Sequence, residues 1–303
     1  MNHIIYHDHC TDGFGAAYIA AKALEKRGEL FRLIPASYGK DWGDLFRPVS
    51  HQEDTVYVVD FSFLPVDMVE MCRLHKQVVW LDHHKTAIDA WHGYIGTTER
   101  YEQDAPENLI RVLDLNRSGT GITWDYFHPN EQRPAWVYCV EDRDLWRFHF
   151  PEAKPFHAGV ALYDKTIKHW DHITENFSNI VEEGNTALRV QEQHVKSLVK
   201  RAGPVTICGR EGLYVNCPGQ FASDVGHELC KLSGTFGATW EQYGNGDVKW
   251  SLRSEGGYDV STMAQSFGGG GHKNAAGFTL KDPMDTEGRI TMWSGDANEH
   301  KAD

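Results

Sequence analysis

Three clusters of metal-ligating and acid–base side chains occur in the first third of the chain: His7-Asp8-His9-Cys10-Thr11-Asp12, a single Asp60, and Asp82-His83-His84. A fourth, Asp142-Arg143-Asp144, lies near mid-chain. Imidazole and carboxylate together suit Mn2+, Fe2+ or Zn2+ better than Mg2+ or Ca2+. Adjacent histidines point in different directions, so one of His83 and His84 can hold a metal while the other faces a substrate. Each cluster alone also has an ordinary explanation. The chain has 17 histidines, enough to set two side by side in a loop by chance. Asp12 precedes a helical pattern and suits a helix N-cap. Asp60 ends an apolar run and suits a cap or an ion pair, and Asp142 or Asp144 suits a surface pair with Arg143. Brought to one place, however, these groups would make a binuclear metal centre. Such a centre holds two ions roughly 3.5–4 Å apart, binds phosphoryl oxygens and activates a water.

The second half carries a different motif, Phe267-Gly268-Gly269-Gly270-Gly271-His272-Lys273-Asn274-Ala275-Ala276-Gly277-Phe278. Consecutive glycines let backbone N–H groups approach an anion closely. A helix starting after them would add its dipole. His272 and Lys273 supply donors for phosphate oxygens. Arg253, in the strand-like run Ser251-Leu252-Arg253-Ser254, is a second anion-binding candidate, against the plainer reading of a surface arginine. Glycine runs are common in turns, but GGGGH followed by AAG is too particular for a linker.

The elements around the first clusters follow from apolar periodicity. Ile4-Ile5-Tyr6, Thr55 to Asp60 and Gln77 to Asp82 predict short buried strands. Phe14 to Leu24 and Pro65 to His75 carry apolar residues at helical spacing. Strand, helix, strand at this spacing is a βαβ pattern, which implies a parallel sheet covered on both faces. In such sheets chemistry sits beyond the carboxyl ends of the strands, where all three clusters fall. Thr123–Phe127 and Trp136–Val140 read as helices leading into the Asp142-Arg143-Asp144 cluster. Residues 172–200 read as a connecting helix or helix pair. After Gly203-Pro204 the texture changes: strands are predicted at Val205–Cys208, Leu213–Asn216 and Val248–Arg253, with a helix at Ser223–Leu232 and glycine turns between. Ser294 to Asp303 is polar and expected to fray.

Composition excludes several classes. With 41% hydrophobic residues over 303 positions, the chain can bury a core without staples, so disorder and disulfide scaffolds are ruled out. Thirty basic against 43 acidic residues give a net charge of −13, which argues against tight duplex binding. A small anionic substrate remains compatible, since a bound cation supplies local positive charge. The six cysteines, at 10, 72, 139, 208, 217 and 230, form no CxxC pair. With the early polar residues of MNHIIYHDHC, they lead us to expect a reduced, cytoplasmic protein. No apolar run approaches the length of a membrane span.

Asp82-His83-His84 with the downstream GGGGHKNAAGF resembles the DHH phosphoesterase family, in the branch with a C-terminal DHHA1 domain. Two independent motifs occur in the family's order, about 185 residues apart, and the resemblance covers most of the chain. It implies an α/β fold: an N-terminal DHH domain (residues 1–175) with a mainly parallel five-stranded sheet flanked by helices, a helical linker (176–200), and a smaller α+β DHHA1 domain with a mixed sheet (201–303), with a cleft between the domains. Members hydrolyse phosphoesters or phosphoanhydrides. They include RecJ-like nucleases, nanoRNases, dinucleotide phosphodiesterases, pyrophosphatases and exopolyphosphatases. Two Mn2+ ions are the implied cofactor, with Zn2+, Fe2+, Co2+ or Mg2+ as alternatives.

Residue by residue, the resemblance makes His7, Asp12, Asp60, His83 and Asp142 metal ligands, with Asp60 bridging and Asp144 the alternative to Asp142. His84 would contact the scissile phosphate or the attacking water, and Asp82 would orient the histidines. Arg253, Ser254, Gly269, Gly270, Gly271, His272, Lys273 and Asn274 would hold substrate phosphates. One departure stands out. The family usually places Asp-x-Asp after the first histidine, and here the first of those positions is Cys10. A thiolate ligand would favour a softer metal; otherwise Asp8 or His9 would supply the missing ligand. Net acidity favours a substrate of a few nucleotides or a small nucleotide over a long strand, which wants a basic groove. Two other readings compete: a phosphoanhydride hydrolase, and a non-catalytic nucleotide-binding protein in which Cys10 marks a lost ligand.

Overall fold

The structure, a computed structural model, describes residues 1–8, 10–38, 43, 51–96 and 105–280. His9 and the tail from Ser294 lie outside the described residues. By contacts the chain divides into two compact units, Met1–Leu188 and Arg189–Asp303.

In the first unit, β1 (Asn2–His7), β2 (Phe31–Ala36), β3 (Thr55–Val59), β4 (Gln77–Asp82) and β5 (Leu109–Leu113) form a sheet in the order β2-β1-β3-β4-β5. All four pairings are parallel. The central strands read as unbroken apolar runs because both faces are covered. Alternate residues enter opposite cores: Ile4, Tyr57, Val59, Val79 and Leu81 face one, while Ile5, Val56, Val58, Val78 and Trp80 face the other. Each such aliphatic side chain contributes roughly 1.5–3 kcal/mol by leaving water.

The first core is closed by α1 (Thr11–Lys26), α4 (Gly119–Phe127), α5 (Ala135–Asp144), α6 (Ala153–Val160), α7 (Ile167–Glu175) and the start of α8 (Phe177–Val199). The second is closed by α2 (Pro65–Leu74) and α3 (Lys85–Gly96). α1 packs closely on α4 because small residues let the backbones approach. A Cβ on Gly15 would lie 2.5 Å from Thr120 Oγ1 and 3.1 Å from the Trp170 ring.

The strand order fixes where chemistry can occur. Connections leave β1 toward β2 on one side and β3 and β4 on the other. The order therefore reverses between β1 and β3, and a crevice opens beyond their carboxyl ends. His7 ends β1 and Asp60 follows β3.

The second unit contains β6 (Gly203–Ile207), β7 (Arg210–Asn216), β8 (Phe236–Gln242), β9 (Val248–Ser254), β10 (Gly270–His272) and β11 (Ala275–Leu280), ordered β10-β11-β9-β8-β7-β6. Only the β7–β8 pairing is parallel among the described pairs, so the sheet is mixed. α9 (Ala222–Ser233) and the short α10 (Ser261–Gln265) complete it. One expectation is corrected here. Among the described residues the glycine run leads not into a helix but into the antiparallel pair β10–β11. The small residues serve strand approach: a Cβ on Gly277 would lie 2.7 Å from the Trp250 carbonyl, and one on Gly269 would collide with the Gly277 carbonyl. Phe278 then stacks on Trp250 with planes 8° apart. All six cysteines are free thiols, and among the described residues no helix is long and apolar enough to cross a membrane.

Two helical glycines should respond with opposite signs. Gly15→Ala gains helix propensity but drives a methyl into Thr120 and Trp170. It should destabilise by about 1–3 kcal/mol. Gly93 in α3 is exposed, with nothing within 4 Å of its would-be Cβ. Gly93→Ala should stabilise by up to about 1 kcal/mol. Thermal unfolding of both variants measures the two signs.

Candidate metal centre

Asp60 is the hinge of the site. It follows β3 in a left-handed conformation, with φ +50, unusual for a residue carrying a side chain. The turn aims its carboxylate back over the strand ends, 1% exposed. Its two oxygens face different partners: Oδ1 lies 3.0 Å from His83 Nε2, and Oδ2 lies 3.8 Å from His7 Nδ1. Gly119 leaves room for it, because a Cβ there would collide with the Asp60 side chain.

Two groups of donors flank Asp60. His7, Cys10 and Asp60 offer ligand atoms within 4.8 Å of one another, as do Asp12, His83 and Asp144. His83 Nε2 is ringed by carboxylate oxygens: Asp60 Oδ1 at 3.0 Å, Asp12 Oδ2 at 3.5 Å and Asp144 Oδ2 at 3.6 Å. Asp12 is oriented by the start of α4, accepting from the Gly119 N–H at 2.7 Å and the Thr120 N–H at 2.9 Å. Thr120 Oγ1 donates to the Asp12 carbonyl at 2.8 Å. Asp12 therefore caps a helix after all, but α4 rather than its own.

The structure separates Asp142 from Asp144. Asp142 accepts from the backbone N–H groups of His149 at 3.0 Å and Phe150 at 2.9 Å, holding the turn that leaves α5. Among the described residues it does not join the donor groups, whereas Asp144, the alternative, groups with Asp12 and His83. Helical geometry rotates i and i+2 to different sides. At the first cluster, Cys10 rather than Asp8 groups with His7 and Asp60.

The electrostatics fit a cation. Burial, followed by the charges of Asp12, Cys10 and Asp144, pushes the Asp60 carboxyl well above its ordinary range. Burial and the Asp12 charge push Asp144 up to about 8. Burial, with Asp144 and Asp12, raises the Cys10 thiol to about 12. His83 is lowered by burial and by His84, which favours the neutral, ligating imidazole. The buried Oδ2 atoms of Asp60 and Asp144 have no hydrogen-bond partner. Crowded carboxylates with unsatisfied oxygens beside neutral imidazoles form a donor set that a divalent cation would neutralise.

Asp82 behaves differently. Ser62 Oγ–H donates to its Oδ2, and its Oδ1 lies 2.8 Å from His84 Nδ1. Trp80 Nε1–H in turn donates to Ser62 Oγ at 2.9 Å. Burial opposes the Asp82 charge, but His84 outweighs it and holds the carboxyl below its ordinary range. Burial lowers His84, yet Asp82 prevails and raises it. Sequence reasoning missed Ser62 and Trp80. The only signal was Ser62 standing two residues beyond Asp60. Not every histidine serves the site: His3 pairs with Asp54 at 2.9 Å, and His75 bonds the Met71 carbonyl at 2.7 Å.

In the second unit, Gly269, Gly270, Gly271 and His272 lie at and in β10, with exposed Lys273 and half-buried Asn274 at the turn into β11. Arg253 on β9 pairs in register with Ala275 and donates to Ser223 Oγ at 2.8 Å. Asn274 Nδ2 donates to Ser254 Oγ at 2.9 Å and to the Tyr258 carbonyl, which Ser254 also binds. Ser254 and Asn274 thus brace the loop beyond β9.

Residues 222–291 match the DHHA1 domain family. An uncharacterized protein of Acanthamoeba polyphaga mimivirus is 29% identical over 304 residues, covering 91% of this chain and 67% of that protein. RecJ of Thermus thermophilus, solved with Mn2+, matches with a TM-score of 0.50 at 13% identity, over 93% of this chain. The chain spans 50% of that RecJ. An exopolyphosphatase-related protein of Bacteroides fragilis matches with a TM-score of 0.48 at 12% identity, over 92% of this chain and 86% of that one. The RecJ likeness shows a shared fold.

Metal uptake should be linked to protons. Without a cation Asp144 keeps its proton up to a pH of about 8, so ligation at about pH 7 must displace it. Adding Mn2+ to metal-free protein in weak buffer should release protons, and affinity should rise with pH toward that value. Calorimetry in buffers of different ionisation enthalpy measures both. Asp144→Asn should weaken binding about 10–100-fold or more and cut the proton release. Asp142→Asn should leave affinity within about threefold and instead lower the unfolding temperature, because two backbone donors lose a charged acceptor.

Proposed function

We propose that the chain is a DHH-family phosphoesterase with a C-terminal DHHA1 domain, a metal-dependent phosphodiesterase of short single-stranded oligonucleotides or small nucleotides. The observation that carries the reading is Asp60, whose two oxygens face His83 and His7 separately. A carboxylate so placed could serve two cations at once. Mn2+ is the proposed ion, supported by the mixed imidazole–carboxylate donors and by the Mn2+ in the RecJ structure of similar fold. When bound, two such ions neutralise phosphoryl oxygens and lower the pKa of an attacking water.

The chain's own residues do the rest. His7, Cys10 and Asp60 would hold one ion, and Asp12, Asp60, His83 and Asp144 the other. His84, fixed through Nδ1 by Asp82, turns its remaining ring nitrogen to the substrate. Its raised pKa keeps it cationic into the range where it can bind a phosphate oxygen or give a proton to the leaving oxygen. Trp80, Ser62 and Asp82 form the hydrogen-bonded chain that holds that ring. Arg253, His272, Lys273 and the glycine run are proposed to bind the substrate's outlying phosphates. The net charge of −13 supports short substrates over long strands.

A hydrolysis panel tests the reading, with a dinucleotide, a long single strand, 3′-phosphoadenosine 5′-phosphate, a cyclic dinucleotide and pyrophosphate, each with Mn2+ and with EDTA. The dinucleotide should be cleaved fastest and only with metal. Asp60→Asn should lower that rate at least about 100-fold while the protein stays folded, because both ions lose a ligand. A preference for pyrophosphate would move the protein to phosphoanhydrides, and silence with every metal would make it a nucleotide-binding protein.

A further inference from the structure

Tyr38 lies two residues past the end of β2 and meets the metal centre from the side. Its ring stacks on Phe61, with centroids 4.6 Å apart and planes 29° apart. Phe61 is 2% exposed and braced edge-on by Phe63 at 5.0 Å. The rings of His7 and His84 stand steeply to that of Tyr38, with centroids 5.4 and 6.0 Å away. One face of the phenol is thus backed by a fixed aromatic, and its hydroxyl meets the Ser62 backbone. Even so, Tyr38 is 54% exposed. A large apolar ring held open beside a cluster of metal-ligating groups calls for a ligand with a flat apolar face.

We propose that Tyr38, backed by Phe61, is a stacking platform for a nucleobase, the base of the nucleotide whose phosphate reaches His84. The proposal rests on the phosphodiesterase reading of the site and deepens it, naming the part of the substrate that the metal centre cannot recognise. Cations and imidazoles bind phosphates alike, whether in a phosphodiester or a phosphoanhydride. Polyphosphate and pyrophosphate have no apolar face and would gain nothing from covering Tyr38. A base would gain stacking, and since every base has a π-face the preference would tolerate any sequence. Phe61 also sits next to Asp60 in sequence, so the platform is anchored to the same turn that aims the bridging carboxylate. Base and scissile phosphate are thereby held in one frame. The backing ring limits the motion of Tyr38, so little freedom is lost on binding.

The test compares wild type, Tyr38→Ala and Tyr38→Phe, loaded with Mn2+, on a dinucleotide and on the same backbone with abasic sugars. Tyr38→Ala should raise KM for the dinucleotide by roughly five- to hundredfold, with kcat changed much less. KM for the abasic analogue should stay the same, and Tyr38→Phe, which keeps the ring and loses only the hydroxyl's contact with the Ser62 backbone, should keep the wild-type preference for the dinucleotide over the abasic analogue. A dinucleotide carrying 2-aminopurine gives a second readout: its emission should be quenched on binding to wild type and Tyr38→Phe, and not to Tyr38→Ala. Equal losses on both substrates would assign Tyr38 to the architecture of the centre and overturn the platform. No change on either would overturn it as well. Wild-type turnover of pyrophosphate without turnover of any nucleotide would instead sink the phosphodiesterase reading, a result that no Tyr38 variant is needed to see.

Discussion

Three carboxylates, from Asp12, Asp60 and Asp144, converge on one imidazole nitrogen of His83 in a largely buried space. His84 and Arg143 offset the Asp144 charge only in part, and burying like charges together is among the costliest things a fold can do. Asp60 and Asp144 answer that constraint by holding protons far above the normal carboxylate range. A protein that keeps such a cluster gives up stability for it unless a cation occupies the space. Much of the first unit can be understood as the frame that forces these groups together: the left-handed turn at Asp60, the glycine at 119 that makes room for it, and the start of α4 that grips Asp12.

The frame works because its parts are rigid for independent reasons. β1, β3 and β4 are buried on both faces, so their carboxyl ends cannot shift without breaking two cores. The strand reversal between β1 and β3 opens the crevice there and nowhere else in the sheet. α1 starts directly after the first cluster, and a Cβ on Gly13 would collide with the His7 carbonyl. The end of β1 and the first turn of α1 therefore lie close together, which is how His7, Cys10 and Asp12 reach two adjacent groups.

Much of this was legible in the residues. Buried runs ending in carboxylates announced β3 and β4, and the DHH triplet marked the edge on which they meet. The edge strands were less visible. β2 contains Pro35 and alternates in burial, and β5 is mostly half-buried, so neither gives a continuous apolar signal. Fine placement was invisible for a different reason. Asp142 and Asp144 are equivalent in composition and spacing, and only the helix phase of α5 decides which side each takes. The glycine run misled about the element beyond it, because small residues allow a helix N-terminus and a close strand pair equally well. The strand was chosen by Trp250 and Phe278, stacking from neighbouring strands. Tyr38 could not be singled out among 36 aromatic residues without knowing which ring lies beside His7 and His84.

The carboxylates of the site fall into two electrostatic classes, one left open to a cation and one already engaged by protein groups. Asp82 has both oxygens engaged, by Ser62 and His84, and is more acidic than an ordinary carboxyl despite complete burial. Asp60 and Asp144 each keep an unsatisfied oxygen and are far less acidic. Groups in one pocket whose environments push them apart have been assigned different tasks. A carboxylate already neutralised by an imidazole gains little from a cation and serves best as an anchor. One left unsatisfied gains most. The hydrogen-bond chain Trp80–Ser62–Asp82–His84 therefore does more than fix a ring. It keeps Asp82 occupied, so that the cation's share of the site is left to Asp60 and its partners, and His84 keeps a proton close to where a phosphate would arrive.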